Sequence, residues 1–468
     1  MSSVSIQRFW ALLLMLFLWT ALLAAGAGAI LTQSLPRSLP LLPQPARPAP
    51  IVPPRGAIYT ADGEPLAFSL QNGERVYPLG FTAGQLVGYV KGKRDANGYI
   101  NTLGESDAGQ AGIEKAMEGR LARGEDVYLT INSKLQSFAE EALLRGVAES
   151  GAEWGTLIVM DSASGRVLAL ANAPAFDPGS PRGAPGEDPR LVNYAFQRLI
   201  EPGSTLKALT AAILIEQGAA RMDDVVEAPM RKRIGTDYIG DAVQHPDRLS
   251  LEEVLAYSSN VGMSNFVSRI APRTLYDYHQ RLHLYDGRLL PGYGLWKPQY
   301  FKPEQIGEFE EATLSFGQGL SVTPMHLAAA FNTLSNDGVY VPPALTESSV
   351  SGRGERVFSA ATAATVRQVL IRHNASRARL RGYPLGGKTG TAQINTGGGY
   401  KASDVYAALY AGFIPAGDSR ATVLVVLYNP QTSSYGSIVA APVFRDFAAH
   451  ALAYWGITPG SGKMASGE

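Results

Sequence analysis

Ser204 and Lys207 stand three residues apart in Glu201-Pro202-Gly203-Ser204-Thr205-Leu206-Lys207, just ahead of the apolar run Ala208 to Ile215. Pro-Gly before a helical pattern reads as a turn feeding a helix, which puts Ser204 in its first turn and Lys207 on the same face. A free serine hydroxyl is a weak nucleophile, so this spacing offers it a neighbouring base, and the helix N-terminus offers free backbone N–H groups for a developing anion. To act as that base near neutral pH, Lys207 must lose about 3 units from about 10.4, roughly 4 kcal/mol of differential interaction, through burial and a second cation. A lone S-x-x-K is by default a surface serine and lysine in an ordinary helix. The argument therefore needs more residues.

Two clusters supply them. Ser250-Leu251-Glu252-Glu253 is a capping box whose helix runs into Ser258-Ser259-Asn260, ahead of a second helix through Phe266. Taken alone, Ser258 and Asn260 are capping residues at a helix break. Gly386-Gly387-Lys388-Thr389-Gly390-Thr391-Ala392 places a cation, two hydroxyls and a glycine on an expected strand edge. In chain order the three clusters give S-x-x-K, S-x-N and K-T-G, a combination that pairs an activated serine with a second hydroxyl and a second cation.

The elements that must position these residues follow from pattern. Thr156 to Asp161 and Arg166 to Ala171 read as two strands joined by Ser162-Ala163-Ser164-Gly165; Val405 to Ile414 and Ala421 to Tyr428 read as two more, with a last helix from about Ala441 to Tyr454. The intervening chain is mostly helical, so the expectation is an antiparallel sheet built from the two ends of the domain and packed against a helical insert, with the serine at their junction. Before it come short strands and turns: Arg55 to Tyr59, an Asp62-Gly63 turn, a helical run from Gly112 through Leu121, a strand from Asp126 to Ile131, and a helix from Ser133 to about Val147 capped by Asn132.

Composition bounds the function. The 468 residues carry 46% hydrophobic and 18% charged residues, which are globular values, and a net charge of +0, which gives no electrostatic case for nucleic acid. Cysteine is absent, excluding disulfides, thiol catalysis and cysteine metal sites. Of six histidines only His279 and His283 have i, i+4 spacing; without a metalloprotease glutamate between them they read as two solvated histidines, and neither metal nor cofactor is expected. Phe9 to Leu31 is 23 residues without a charge, read as an uncleaved signal anchor spanning the membrane rather than a cleaved signal peptide. Prolines 36, 40, 43, 45, 48, 50, 53 and 54 make an extended spacer.

The three motifs, with Arg55-Gly56-x-Ile58, Asp62-Gly63, Gly112-Ile113-Glu114, Asn193-Tyr194-Ala195, Gly317 to Pro324, Ala411 to Ala416 and Ala441-Pro442-Val443-Phe444, resemble the class B penicillin-binding proteins over nearly the whole chain, most closely the septal division FtsI type. The resemblance implies an α+β fold of the penicillin-binding-protein and serine β-lactamase kind: an antiparallel sheet packed with helices plus an all-helical part, on a small mixed α/β pedestal with an N-terminal transmembrane helix. It implies a cytoplasmic arm (1–8), signal anchor (9–31), Pro-rich linker (32–54), reduced pedestal (55–131), transpeptidase domain (132–458) and disordered tail (459–468). It implies a serine-type D,D-transpeptidase of peptidoglycan, in which Ser204 attacks the penultimate D-Ala carbonyl of a donor stem peptide and an amine of a neighbouring stem resolves the acyl-enzyme. Lys207 would take the serine proton, Ser258 relay a proton to the leaving amine, and Asn260 orient Lys207 or the peptide. Lys388 would keep Lys207 neutral and, with Thr389 and Thr391, bind the substrate carboxylate, Gly390 between them counting with the substrate-binding residues. The N–H groups of Ser204 and Thr391 would form the oxyanion hole. β-Lactams would acylate the same serine.

The implied location is the bacterial inner membrane, single pass, with the catalytic domain on the periplasmic side; the implied partner is a SEDS-family glycosyltransferase, and no nucleic acid. Two departures stand out. Thr60-Ala61 replaces the family's Asp-Arg, and the chain between Ala67 and Pro78 is too short for most of the pedestal's head. The alternatives are an elongation-type enzyme, a β-lactam-hydrolysing or β-lactam-sensing relative, and a catalytically silent scaffold.

Overall fold

The computed structural model describes residues 3–34, 53–94, 100–105, 107–181, 188–394, 403–415 and 420–460. The chain divides into two units, Met1–Val52 and Pro53–Glu468. The first contains the helix Ser3–Ser34, whose stretch Ile6–Ala27 has a mean hydropathy of 2.1 and is long and apolar enough to cross a membrane. The helix runs past Leu31 to Ser34 because the first proline is Pro36, whose ring disfavours helical backbone only at the residue before it. The rest of the expected spacer up to residue 52, and the tail from 461, lie outside the described residues.

The second unit carries two main sheets. The smaller has six short strands in the order Lys93–Arg94, Ile100–Asn101, Glu74–Val76, Pro65–Ser69, Ile58–Tyr59, Val127–Tyr128, antiparallel except for the parallel last pair. Beneath it Arg55 donates to Glu114 at 2.7 Å and to Glu118 at 2.7 Å, and Arg75 donates to Glu114 at 2.8 Å, so Arg55 and Glu114 of the sequence landmarks form one buried ion cluster with an arginine that no motif flagged. Asp62, in the Asp-Gly turn, accepts from the Ser133 N–H at 2.9 Å and from its hydroxyl at 2.5 Å, tying this region to the start of the helix Ser133–Ser150. Asn132 caps that helix as its spacing requires, accepting from the Leu135 N–H. Thr60, at one of the departures, is fully buried and accepts from the Glu64 N–H at 2.9 Å, closing the same turn.

The larger sheet is antiparallel throughout, in the order Gly386–Gln393, Tyr406–Ile414, Ala421–Tyr428, Trp154–Asp161, Val167–Ala173. It joins the two ends of the domain, as the pattern predicts. Successive residues of Trp154–Asp161 face opposite layers: Leu157 and Val159 pack with the helices Ser133–Ser150 and Gly436–Tyr454, while Ile158 and Met160 join the core containing Leu206, Leu209, Met325 and Phe331. Both faces are covered, so the strands read as continuous apolar runs rather than alternating ones.

Two expectations are corrected. The last helix begins at Gly436, not Ala441, and holds Pro442 in its interior. Its first residue lies so close to the neighbouring strands that a Cβ there would sit 2.2 Å from the Leu409 carbonyl oxygen and 2.5 Å from that of Gly390; the glycine lets the helix start against the sheet. His279 is not solvated. It is fully buried in the helix Pro272–Arg281, with Nδ1 2.9 Å from the Tyr285 hydroxyl, and burial pushes its pKa down to about 3, because the helix face that carries it turns into the core. His283, beyond the helix end, is partly exposed and lies beside Asp286.

Candidate active site

Pro202 leads into a 3-10 turn, Gly203–Thr205, that continues as the helix Leu206–Glu216, apolar except for Lys207, Thr210 and Glu216. The turn is pinned by the Gly203 N–H donating to the Gly317 carbonyl at 3.0 Å; Gly317 has φ +83°, and a Cβ on it would meet the Gly203 oxygen at 2.3 Å. Ser204 is thereby held at the mouth of the helix, and Lys207, one turn on, is completely buried.

The second cluster arrives from the helical insert. The helix Leu251–Tyr257 starts at the capping box expected of Ser250 and Glu253, and ends at Ser258, whose φ of 61° and ψ of 37° are left-handed. Ser259 caps the next helix, Asn260–Val267. This sharp reversal points the Ser258 carbonyl, the Ser258 hydroxyl and the Asn260 side chain at one place. Lys207 Nζ lies 2.5 Å from the Ser258 carbonyl oxygen, 2.7 Å from Asn260 Oδ1, 2.9 Å from Ser204 Oγ and 3.3 Å from Ser258 Oγ.

The third cluster is the edge strand Gly386–Gln393. Lys388 Nζ donates to Ser258 Oγ at 2.9 Å and to the Thr389 carbonyl at 3.3 Å, so the Ser258 hydroxyl stands between the two lysines. Thr389 and Thr391 line a cleft of about 500 Å³ together with Ser204, Ser258, Asn260 and Lys388. Gly390 faces the other way: a Cβ there would touch Thr205 Cγ2 at 3.0 Å and the Pro202 oxygen at 3.1 Å, so this glycine lets the strand close onto the serine turn rather than walling the cleft. Thr391 Oγ1 accepts from the Gly436 N–H at 3.3 Å, which ties the last helix to the same strand.

Electrostatics give the arrangement its chemistry. Burial, then the nearby charge of Lys388, drives the Lys207 pKa well below its ordinary value, with Asp241 pulling weakly the other way. Burial brings Lys388 down to about 8. A neutral Lys207 amine has two N–H bonds to give, to the Ser258 carbonyl and to Asn260 Oδ1, and one lone pair left to accept from the Ser204 hydroxyl. A hydroxyl facing a buried amine lone pair is the geometry that proton removal from a serine requires.

Sequence reasoning missed several residues of this neighbourhood. Val243, Tyr257, His373, Tyr406 and Tyr435 also line the cleft, and Asp241 and His245 lie beneath the Ser258–Asn260 turn. Nothing in local spacing marks them, since they reach the site through the fold. The only hint is that Asp241 is an acid on a short turn shortly before the Ser250 capping box.

Residues 155–449 match the family described as the penicillin-binding protein transpeptidase domain. The chain is 30% identical over 419 residues to the probable peptidoglycan D,D-transpeptidase PenA of Neisseria gonorrhoeae, a match spanning 82% of this chain and 69% of the relative. It is 30% identical over 409 residues to the peptidoglycan D,D-transpeptidase FtsI of Escherichia coli K12, spanning 83% and 68%. The chain belongs to the class B penicillin-binding proteins. The fold agrees: crystal structures of penicillin-binding protein 3 from Mycobacterium tuberculosis superpose with TM-score 0.78 and 30% identity in the apo form, and 0.77 and 29% in the complex with aztreonam, each covering 88% of this chain and 98% of the other. The three clusters of this penicillin-binding protein, at 204–207, 258–260 and 388–391, all fall inside the matched domain.

Proposed function

We propose that this protein cross-links peptidoglycan stem peptides through an acyl-enzyme on Ser204, as the membrane-anchored transpeptidase of the division septum. The observation that carries the mechanism is the buried Lys207 amine, within hydrogen-bond reach of Ser204 Oγ and depressed by burial and by Lys388. The relatives' names, peptidoglycan D,D-transpeptidase, supply the substrate class, and the aztreonam complex of the Mycobacterium tuberculosis neighbour supports acylation by β-lactams.

In the proposed reaction Lys207 accepts the Ser204 proton as Oγ adds to the penultimate D-Ala carbonyl, and the oxyanion is held by the N–H groups of Ser204 and Thr391, each worth about 3 kcal/mol. The C–N bond to the terminal D-Ala then breaks, its nitrogen taking a proton through the Ser258 hydroxyl, which lies between Lys207 and Lys388. An acceptor amine attacks the ester, returns its proton to Ser204 through the same groups, and leaves the peptide cross-linked. Lys388, Thr389 and Thr391 hold the substrate carboxylate. The apolar helix Ile6–Ala27 anchors the chain with the catalytic domain on the periplasmic side, beside a glycan polymerase of the SEDS family.

The test is intact mass of the full-length protein in detergent over time after adding benzylpenicillin, with Ser204→Ala as control. A lasting adduct that disappears in the variant supports the reading; rapid return to unmodified protein makes the chain a hydrolase; no adduct makes it a scaffold.

A further inference from the structure

The Ser258–Asn260 turn holds a non-glycine residue in left-handed backbone, a conformation that persists only where its surroundings fix it. The Ser258 and Ser259 N–H groups close the preceding helix on the Val254 carbonyl, and the residues that follow are held by Asp241. Its Oδ1 accepts from the N–H groups of Asn260 at 2.5 Å and Val261 at 3.2 Å, and its Oδ2 accepts from the Ser259 hydroxyl at 2.6 Å. Three consecutive residues thus hang from one carboxylate. The adjoining Gly240 carbonyl accepts from Asn260 Nδ2 at 2.8 Å, which decides that Asn260 presents its oxygen, and not its nitrogen, to Lys207.

The carboxylate is held in turn by His245. The His245 side chain is inaccessible to solvent and that of Asp241 is 2% exposed. Nε2 lies 2.8 Å from Asp241 Oδ2 and Nδ1 lies 2.9 Å from the Pro246 carbonyl oxygen. The ring thus bridges the Asp241 carboxylate and the Pro246 carbonyl. The other group against the ring is Tyr257, tilted at 5.8 Å between centroids, and the charges nearest Asp241 on the far side of the turn are Lys207 and, beyond Ser258 Oγ, Lys388.

We propose that Asp241, held by His245, is a positioning residue for the Ser258–Asn260 turn and so sets how readily Lys207 takes the serine proton. Hydrogen bonds to the turn place the Ser258 carbonyl and Asn260 Oδ1 on the two N–H bonds of Lys207, leaving the lone pair for Ser204. The kinetic part of the proposal rests on Ser204 as nucleophile; the hold of Asp241 on the turn does not.

Two measurements decide it, both on the full-length chain in detergent. The first is amide hydrogen exchange of Asp241→Ala read by mass spectrometry: the Asn260 and Val261 N–H groups, which Asp241 accepts from, are expected to lose protection while the helix Leu206–Glu216 keeps it. Unchanged protection at Asn260 and Val261 overturns the proposal, whatever happens at Ser204. The second is benzylpenicillin acylation, separated into pre-covalent affinity and limiting rate across pH. Asp241→Asn is expected to lower the limiting rate about 10- to 100-fold while affinity changes by less than about threefold, the signature of misplaced reacting groups. His245→Ala removes the side chain that holds the carboxylate and is expected to lower the limiting rate in the same way by a smaller factor, while His245→Gln, which keeps an N–H donor toward Asp241, restores it. Should Asp241→Asn not fold, His245→Ala alone decides: an unchanged limiting rate overturns the proposal.

Discussion

The pedestal and the catalytic cleft both bury cations, and treat them oppositely. Arg55 and Arg75 are 5% and 2% exposed, Lys207 and Lys388 0% and 5%. In the pedestal the charges are matched by carboxylates: Glu114 accepts from Arg55, from Arg75 and from the Tyr77 hydroxyl, and Glu118 takes the rest of the Arg55 guanidinium. Burial works against the Arg55 cation, but Glu118 and Glu114 outweigh it and hold its pKa above the ordinary value. In the cleft, among the described residues, the two lysines meet hydroxyl, amide and carbonyl oxygens and no carboxylate in contact. A buried cation with a matched anion stays charged and serves structure. One left beside another cation gives up its proton, and the resulting amine can do chemistry.

Several substitutions break this contrast. Lys207→Ala removes the proposed base and is expected to slow benzylpenicillin acylation by about 10²- to 10⁴-fold, read by stopped-flow or intact mass, while urea unfolding changes little. Glu114→Gln does the reverse. It strands two buried arginines and is expected to cost about 3–5 kcal/mol in urea unfolding, while the folded fraction acylates at the native rate. A large acylation defect in that variant, at temperatures where it is folded, would show that the pedestal is more than a support.

Smaller changes sharpen the comparison. Lys388→Gln removes the cation second only to burial in depressing Lys207, so the Lys207 pKa is expected to rise. In the proposed mechanism acylation needs neutral Lys207, hence its acid limb moves to higher pH, with about tenfold loss of rate for each unit the limb passes above the assay pH. An unshifted limb would leave burial as the sole cause. In the native protein Lys388 titrates at about 8, so its own charge fades above that pH.

The smallest effect concerns half-buried Glu140, which accepts from the Ala83 N–H at 2.7 Å and from Gln136 at 2.7 Å and is pushed by burial up to about 7. A carboxyl raised in the folded state contributes stability below its unfolded pKa that is lost as pH rises through the folded value. Glu140→Gln has no such loss, so thermal melts are expected to favour the variant by about 1 kcal/mol on the alkaline side and to converge in acid. Equal melts at all pH values would place this carboxyl in water.

The sequence made a good deal of this legible, for physical reasons that differ by element. The strands Trp154–Asp161 and Ala421–Tyr428 announce themselves because residues buried on both faces leave unbroken apolar runs. The caps at Asn132 and Ser250 are visible because side chain and backbone partner are three residues apart. The start of the last helix is hidden because Pro442 looks like a first-turn proline, while Gly436 is chosen by a strand far away in sequence. His279 looks soluble because no local pattern reveals which face of its helix the core covers. Asp241 and His245 are silent because their four-residue spacing lies outside any helix, and the groups that Asp241 holds in the turn are 18 to 20 residues further on.

What the sequence alone determines is whatever depends on neighbours along the chain: an apolar helix long enough for a membrane, a serine and a lysine on one helical face, a hydroxyl and an amide at a helix break, a lysine and two threonines on a strand. Only the tertiary structure decides that these three pieces meet, 51 residues separating Lys207 from Ser258 and 130 separating Ser258 from Lys388. It alone sets the charge of Lys207, because desolvation and Coulomb interaction depend on distance in space, and that distance exists only once the core has closed around the amine.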